Sequence, residues 1–227
     1  MKVSAIIPAA GRGERMGNSV SKQFIKVKGI PILAYTIRIF EELKEINEIF
    51  LIIPPLEMEL YLKEIIEKYN FKKVLKLIPG GSRRQDSVYN GLKEIREDTD
   101  IVVIHDAVRP FTDKDIIKES IDSAYMFGGA AAGVEVKDTV KMGSEDGFIY
   151  KTLDRSRLIF IQTPQAFKRE ILTKAYSMAY IDNIKGTDDA SFVERLGYKI
   201  KIIKGSYKNI KITTPDDLII AENFLEI

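Results

Sequence analysis

Short apolar runs alternate through most of the chain with longer segments in which apolar and charged positions share a helical period. The runs at residues 3–8, 49–53, 74–78, 101–105, 130–136, 158–162 and 199–203 are predicted strands. Several are apolar at consecutive positions rather than at every second one, the pattern of strands buried on both faces, as in a parallel sheet covered by helices. The segments between them carry helix start signals. Pro31 opens one, and Pro55 opens another in which Leu60, Ile65 and Ile66 recur at helical spacing. Ser82 is placed to cap a third, and both Thr112 with Asp115 and Thr214 with Pro215 and Asp217 have the form of capping boxes. Alternating strand and helix predict βα units and an α/β fold.

No Ser/Gly linker, charge block or repeat interrupts this series, so residues 1–227 read as a single domain. One stretch departs from it. Within residues 136–154, segments 139–142 and 148–150 flank Gly143-Ser144-Glu145-Asp146-Gly147, the pattern of a β-hairpin inserted into the α/β series. A lone hairpin is marginal in water, and this one has few core-type residues of its own. It is expected to pack either on its own domain or on a second subunit, the second being favoured.

Composition narrows the chemistry. The 227 residues include 35 Lys plus Arg, 33 Asp plus Glu, one His and no Cys. Without Cys there is no disulfide framework, zinc finger, iron-sulfur cluster or thiol nucleophile, and the chain suits a reducing, cytoplasmic setting. One His excludes a multi-histidine metal site, although His105 alone can still serve as a base. A net charge of +2 argues against a nucleic-acid protein, while a balanced total can conceal a local positive pocket. The longest apolar stretch, residues 49–56, contains two prolines and falls far short of the roughly 20 residues that cross a bilayer. The apolar segment near the N-terminus is too short for a signal core. No membrane association is expected.

Three segments carry most of the candidate chemistry. The first predicted strand runs into Ala9-Ala10-Gly11-Arg12-Gly13-Glu14-Arg15-Met16-Gly17, and a polar loop then reaches Lys22-Gln23-Phe24. The glycine spacing fits neither the dinucleotide fingerprint nor a Walker A loop. Glycines at a strand's end together with Arg12, Arg15 and Lys22 instead suit a polyphosphate, the alternative being a solvated surface loop. In the second segment, Gly80-Gly81-Ser82-Arg83-Arg84-Gln85-Asp86-Ser87, the glycines allow close backbone contact with a flat ligand and Ser87 can read a base edge; the plainer account is a tight turn and a helix cap. In the third, His105-Asp106-Ala107-Val108-Arg109-Pro110-Phe111, Asp106 stands beyond a strand's carboxyl end, where it can hold a metal, a ribose or a substrate hydroxyl. Its plainer account is an ion pair with Arg109 and a packed His105, which has no nucleophile nearby to activate. Later come Asp154-Arg155, Gln162-Thr163-Pro164-Gln165, Thr187-Asp188-Asp189-Ala190-Ser191, in which Thr187 suits a helix N-cap, and Asn209-Ile210-Lys211-Ile212-Thr213.

In this order and over residues 3–224, these segments resemble the 2-C-methyl-D-erythritol 4-phosphate cytidylyltransferase family. The resemblance implies a three-layer α/β/α Rossmann-like nucleotidyltransferase domain whose hairpin arm crosses a homodimer. It implies a reaction of CTP with a polyol phosphate, methylerythritol phosphate, that releases pyrophosphate in isoprenoid precursor synthesis. Arg15 and Lys22 would stabilise charge on the triphosphate. Ala9, Ala10 and Gly11 would contact CTP through the backbone, Gly81 and Ser87 would recognise cytosine, and Asp106 and Ala107 would lie between nucleotide and acceptor. Thr139 and Arg155 of the arm would reach the acceptor of the partner subunit, with Lys211 and Thr163 completing that pocket. Mg²⁺ would be held mainly by the CTP phosphates rather than by protein ligands.

Other readings share some of these features. A ribitol 5-phosphate cytidylyltransferase has a similar glycine loop, His-Asp strand end and Asn-Ile-Lys segment, but Ala107-Val108 and the segment from Thr187 to Ser191 look more like the methylerythritol enzyme. A regulatory module that binds CTP without turning it over has no need for a second set of cations. A glycosyltransferase would usually want an Asp-x-Asp metal motif, and His105-Asp106-Ala107 offers one carboxylate.

Overall fold

The computed structural model describes residues 1–11 and 22–225. The elements run β1 (Val3–Pro8), β2 (Lys26–Val27), β3 (Ile30–Pro31), α1 (Ile32–Glu42), β4 (Glu48–Ile53), α2 (Met58–Tyr61), β5 (Val74–Pro79), α3 (Arg84–Glu94), β6 (Ile101–Ile104), α4 (Lys114–Phe127) and β7 (Gly129–Glu135). They continue with β8 (Lys141–Gly143), β9 (Ile149–Thr152), β10 (Ile159–Lys168), α5 (Arg169–Ile181), α6 (Asp189–Arg195), β11 (Lys201–Lys204) and α7 (Pro215–Phe224). A seven-stranded sheet has the order β11-β7-β10-β6-β1-β4-β5.

Both faces of this sheet are covered, as the unbroken apolar strands require. From β1, Val3, Ala5 and Ile7 join one core with Leu33, Ile37 and Phe40 of α1 and Ile117 and Ile121 of α4. Ile6 joins the opposite core with Val88 and Leu92 of α3 and Leu172 and Tyr176 of α5. Successive side chains of a strand point to opposite faces, so each strand feeds both cores at once. Each fully buried Ile, Leu or Phe contributes roughly 1.5–3 kcal/mol.

The sheet departs from the all-parallel expectation at one strand. β10 pairs antiparallel with both β6 and β7, while the other pairings in the sheet are parallel. It is also longer than the predicted run at 158–162, because Thr163-Pro164 lies inside the strand; the ladder with β7 is irregular between Ile161 and Gln165. Three helix starts differ from expectation. Arg83 rather than Ser82 caps α3, its partner being the Asp86 carboxylate, to which the Ser82 hydroxyl also donates. Asp113 rather than Thr112 caps α4, accepting from the Asp115 amide at 2.9 Å. After Pro55 the chain makes a 3-10 turn, then α2, then a π turn at Leu62–Glu67. The widened turn shifts the buried face to Tyr61 and Ile65 and leaves Leu60 exposed. The capping box of Thr214 and Asp217 at α7 forms as read.

β8 and β9 form a two-stranded antiparallel hairpin outside the main sheet. Its residues are exposed throughout, Phe148 at 72% and Tyr150 at 73%. No helix among the described residues is long and apolar enough to cross a membrane.

Candidate active site

β1, β4, β5 and β6 run parallel and deliver their carboxyl ends to one edge of the sheet, the edge at which open α/β sheets bind ligands. The loops that follow them line a cleft of about 600 Å³, with Ala10 and Gly11 after β1, Pro54 after β4, Gly80 and Gly81 after β5, and Asp106 and Ala107 after β6. A second cleft of about 490 Å³ lies between Arg109, the Phe160 to Gln165 stretch of β10 and the start of α6. Arg84, Asp106 and Lys211 line both.

Asp106 is buried and its carboxylate is met from three sides. Arg84 Nε donates to Oδ1 at 3.2 Å, while Lys211 Nζ at 2.9 Å and Arg109 Nε at 3.4 Å reach Oδ2. Burial alone would push its pKa up; Arg84, Lys211 and Arg109 outweigh burial and hold the carboxyl well below the usual range. For Arg109 the balance falls the other way, and burial lowers its pKa despite Asp106. The backbone around this point is fixed as well. The Asp106 amide donates to Thr163 Oγ1 at 3.0 Å, and buried Asn209 donates through Nδ2 to the Thr163 carbonyl at 2.8 Å. The Asn209 carbonyl accepts from Arg109 Nη1 at 2.6 Å, so the segment bearing Lys211 is tied to both neighbouring loops.

The glycines of the second loop answer to close approach. A Cβ on Gly80 would stand 2.2 Å from Ala10 Cβ, and one on Gly81 would stand 2.3 Å from Asp86 Cβ. The Gly81 amide donates to Ser87 Oγ at 3.1 Å, and that hydroxyl donates to the Arg83 carbonyl at 3.2 Å. Across the cleft, buried Gln23 donates through Nε2 to the Gly11 carbonyl at 2.9 Å, while its Oε1 has no partner among the described residues.

His105 is packed in the interior and lines neither cleft. It is fully buried, 5.1 Å from the Phe40 ring, with Nε2 3.1 Å from the Arg109 carbonyl and 3.2 Å from Thr112 Oγ1. The Thr112 hydroxyl gives its proton to Asn209 Oδ1 at 2.7 Å, so Nε2 carries the imidazole proton, and Nδ1 has no partner among the described residues. Burial pushes the His105 pKa down to about 4.

The model of the 2-C-methyl-D-erythritol 4-phosphate cytidylyltransferase family matches residues 3–227. The chain belongs to this family. Among its relatives, the 2-C-methyl-D-erythritol 4-phosphate cytidylyltransferase of Caldanaerobacter subterraneus subsp. tengcongensis is 48% identical over 225 residues, with 99% of each chain covered. That of Clostridium acetobutylicum is 50% identical over 222 residues, covering 98% of this chain and 96% of its own. Among solved structures, the 4-diphosphocytidyl-2C-methyl-D-erythritol synthase of Anaerococcus prevotii superposes with a TM-score of 0.88 at 33% identity, covering 100% of this chain and 96% of its own. The Francisella tularensis cytidylyltransferase gives 0.84 at 33% identity, with 99% of each chain covered.

Of the residues that the resemblance to this cytidylyltransferase family singles out, Ala10, Gly11, Gly81, Ser87, Asp106, Ala107 and Lys211 all line the larger cleft. Ala9 does not. Its amide is already committed to the Ile52 carbonyl at 2.6 Å, so it anchors the loop instead of donating to a ligand. Thr163 lines the second cleft with Asp106 and Lys211. Thr139 and Arg155 are exposed near the arm and line neither cleft within one chain; Arg155 Nη1 donates to the Lys137 carbonyl at 2.6 Å. Arg12 and Arg15 lie outside the described residues, as does the side chain of Lys22. Thr187 borders the second cleft but does not cap α6; Asp188 does, accepting from the Ser191 amide at 3.0 Å. Sequence reasoning passed over Arg84, Gln23 and Asn209. Arg84 opens a helix directly after a Gly-Gly turn, a signal that was available, whereas Asn209 is marked only by contacts distant in sequence.

Proposed function

We propose that the chain is a cytidylyltransferase that joins CTP to 2-C-methyl-D-erythritol 4-phosphate, releasing pyrophosphate and serving isoprenoid precursor synthesis by the non-mevalonate route. The observation that carries this reading is that two clefts of small-ligand size meet at one point, where Arg84, Asp106 and Lys211 line both. A binding module for one nucleotide needs only the first. CTP would occupy the larger cleft, its base over Gly81 and its phosphates toward Gly11, Arg15 and Lys22. The acceptor would occupy the second.

The acceptor supplies its own nucleophile. With a second pKa near 6, its phosphate is largely a dianion at neutral pH, so no general base is required. One of its oxygens forms a bond to the α-phosphorus of CTP as the bond from that phosphorus to the β-bridging oxygen breaks, and pyrophosphate leaves with the electron pair. Two obstacles remain, the repulsion of two anions and their alignment. Fixed cations offset the first and the two-cleft geometry addresses the second, each on the scale of several kcal/mol.

Mg²⁺ belongs to the proposal as a companion of CTP. Among the described residues Asp106 is the one carboxylate lining the larger cleft, three cations already face it, and no three acidic or His side chains are grouped to hold a metal. These residues do not suit a protein-built metal site, so the ion would arrive on the triphosphate with phosphate and water ligands. A homodimer is likewise proposed. The arm exposes Met142, Phe148, Ile149 and Tyr150, and Phe160 and Ile161 lie exposed beside the second cleft. A partner's arm laid there would cover apolar surface and bring a second copy of Thr139 and Arg155 to the acceptor. Phosphorus-31 NMR of the chain with CTP, Mg²⁺ and methylerythritol phosphate is expected to show a new diphosphate ester and pyrophosphate in equal amounts. Orthophosphate alone would point to a hydrolase, and an unchanged spectrum with CTP bound would point to a sensor.

A further inference from the structure

We propose that Arg84 is a further catalytic residue of this reaction, meeting with its Nη1 edge the phosphate that lies where the two clefts join, and that Asp189 is the positioning residue that holds it there. The proposal rests on the reading of the clefts as nucleotide and acceptor sites.

Two nitrogens of the Arg84 guanidinium are committed and one is not. Nη2 donates to Asp189 Oδ2 at 2.8 Å and Nε donates to Asp106 Oδ1 at 3.2 Å. Nη1 has no hydrogen-bond partner among the described residues, although the side chain is 31% exposed and borders both clefts. The anchor on the far side is stiff. Asp189 is fully buried at the first position of α6, and its other oxygen accepts from the hydroxyl of fully buried Tyr176 at 2.5 Å. Tyr176 is itself packed against the rings of Tyr89 and Phe192. The planar guanidinium is therefore held by two carboxylates on separate elements, which leaves Nη1 for a ligand at the junction that the side chain borders.

Lys211 and Arg84 stand on opposite oxygens of Asp106, Oδ2 and Oδ1 respectively. A phosphate at the junction is then met by a cation from either side, an arrangement that favours the charge of attacking and leaving groups together. Arg83, the neighbouring arginine, does not compete for this role, because it lines only the larger cleft and pairs with Asp86 at the helix cap, away from the junction. An ion pair serving the fold alone has no use for an open guanidinium edge in the cleft wall.

The test separates catalysis from folding. Arg84→Gln leaves Asp189 buried without its cation, so both Tm and kcat are expected to fall, kcat by roughly 10²–10³-fold, the scale of removing one preorganised charged donor. The double variant Arg84→Gln/Asp189→Asn removes the stranded charge as well. Its Tm is expected to return toward that of the wild type while kcat stays low, with the KM for CTP changed by less than about tenfold. Arg84→Lys keeps a charge beside Asp189 but cannot span two carboxylates and reach a phosphate, and a kcat loss of at least about tenfold is expected. Recovery of kcat together with Tm in the double variant, or wild-type kcat in Arg84→Lys, overturns the proposal while leaving the cytidylyltransferase reading intact. A wild-type chain that forms no pyrophosphate from CTP and methylerythritol phosphate overturns that reading and this proposal with it.

Discussion

Asp106 brings one negative charge to a point where Arg84, Arg109 and Lys211 bring three positive ones. The carboxylate ties these cations to one point, and the positive charge left over after Asp106 and Asp189 is what two phosphates would meet. His105, one residue away, titrates on a separate scale. Its folded pKa of about 4 lies below the ordinary value of 6.5, so between those limits the unfolded chain binds more protons than the folded one. Stability therefore falls as the pH drops from 6.5 to 4, by roughly 3 kcal/mol from this group. The depressed carboxyls of Asp106 and Asp86 act in a lower window, their stabilisation being lost only as the pH falls below the ordinary carboxylate range. Urea unfolding across pH 4–6.5 is expected to show a flatter slope in His105→Gln than in the wild type, whatever the variant's absolute stability. Equal slopes would contradict the assignment. The structural part of His105 was legible because no nucleophile stands near it in sequence. Arg84 was less so, because its decisive partner Asp189 lies 105 positions away and the Gly-Gly turn before the pair does not tell Arg84 from Arg83.

At the scale of elements, the strand-to-helix turns do most of the positioning. The β5–α3 turn approaches Ala10 and Asp86 so closely that no side chain fits at Gly80 or Gly81. Gly81→Ala must displace the turn or Asp86, and the KM for CTP is expected to rise about tenfold or more with little change in the acceptor's KM. Steady-state kinetics with each substrate varied in turn measures this, and an unchanged CTP KM would remove the turn from the nucleotide site. The parallel strands and their order of appearance could be read from apolar runs and helix starts. The direction of β10 could not, since a strand's composition carries no information about its direction, and Pro164 inside it resembled an end. Caps shifted for a similar reason. At α3 the Asp86 carboxylate on the third helical position accepts from the Arg83 amide, so a residue that rarely caps can stand there, while Thr112 is drawn away by His105 and Asn209.

Over the whole molecule, the two clefts of one chain are not lined by every residue that the family resemblance assigns to them. Thr139 and Arg155 stand apart, near a hairpin whose aromatic residues face solvent. Sedimentation is expected to find a dimer at micromolar concentration, and Phe148→Ser/Tyr150→Ser a monomer that keeps its fold and CTP binding but loses turnover. A fully active wild-type monomer would contradict the shared site. The near-balanced charge of the chain takes on a clearer meaning in this frame, because the cations that matter are gathered at one junction rather than spread in excess over the surface. The most direct measurement is pyrophosphate release from CTP with each acceptor in turn. Methylerythritol phosphate is expected to give a kcat/KM well above that of ribitol 5-phosphate; equal or faster turnover of ribitol 5-phosphate, or none with either, would contradict the account.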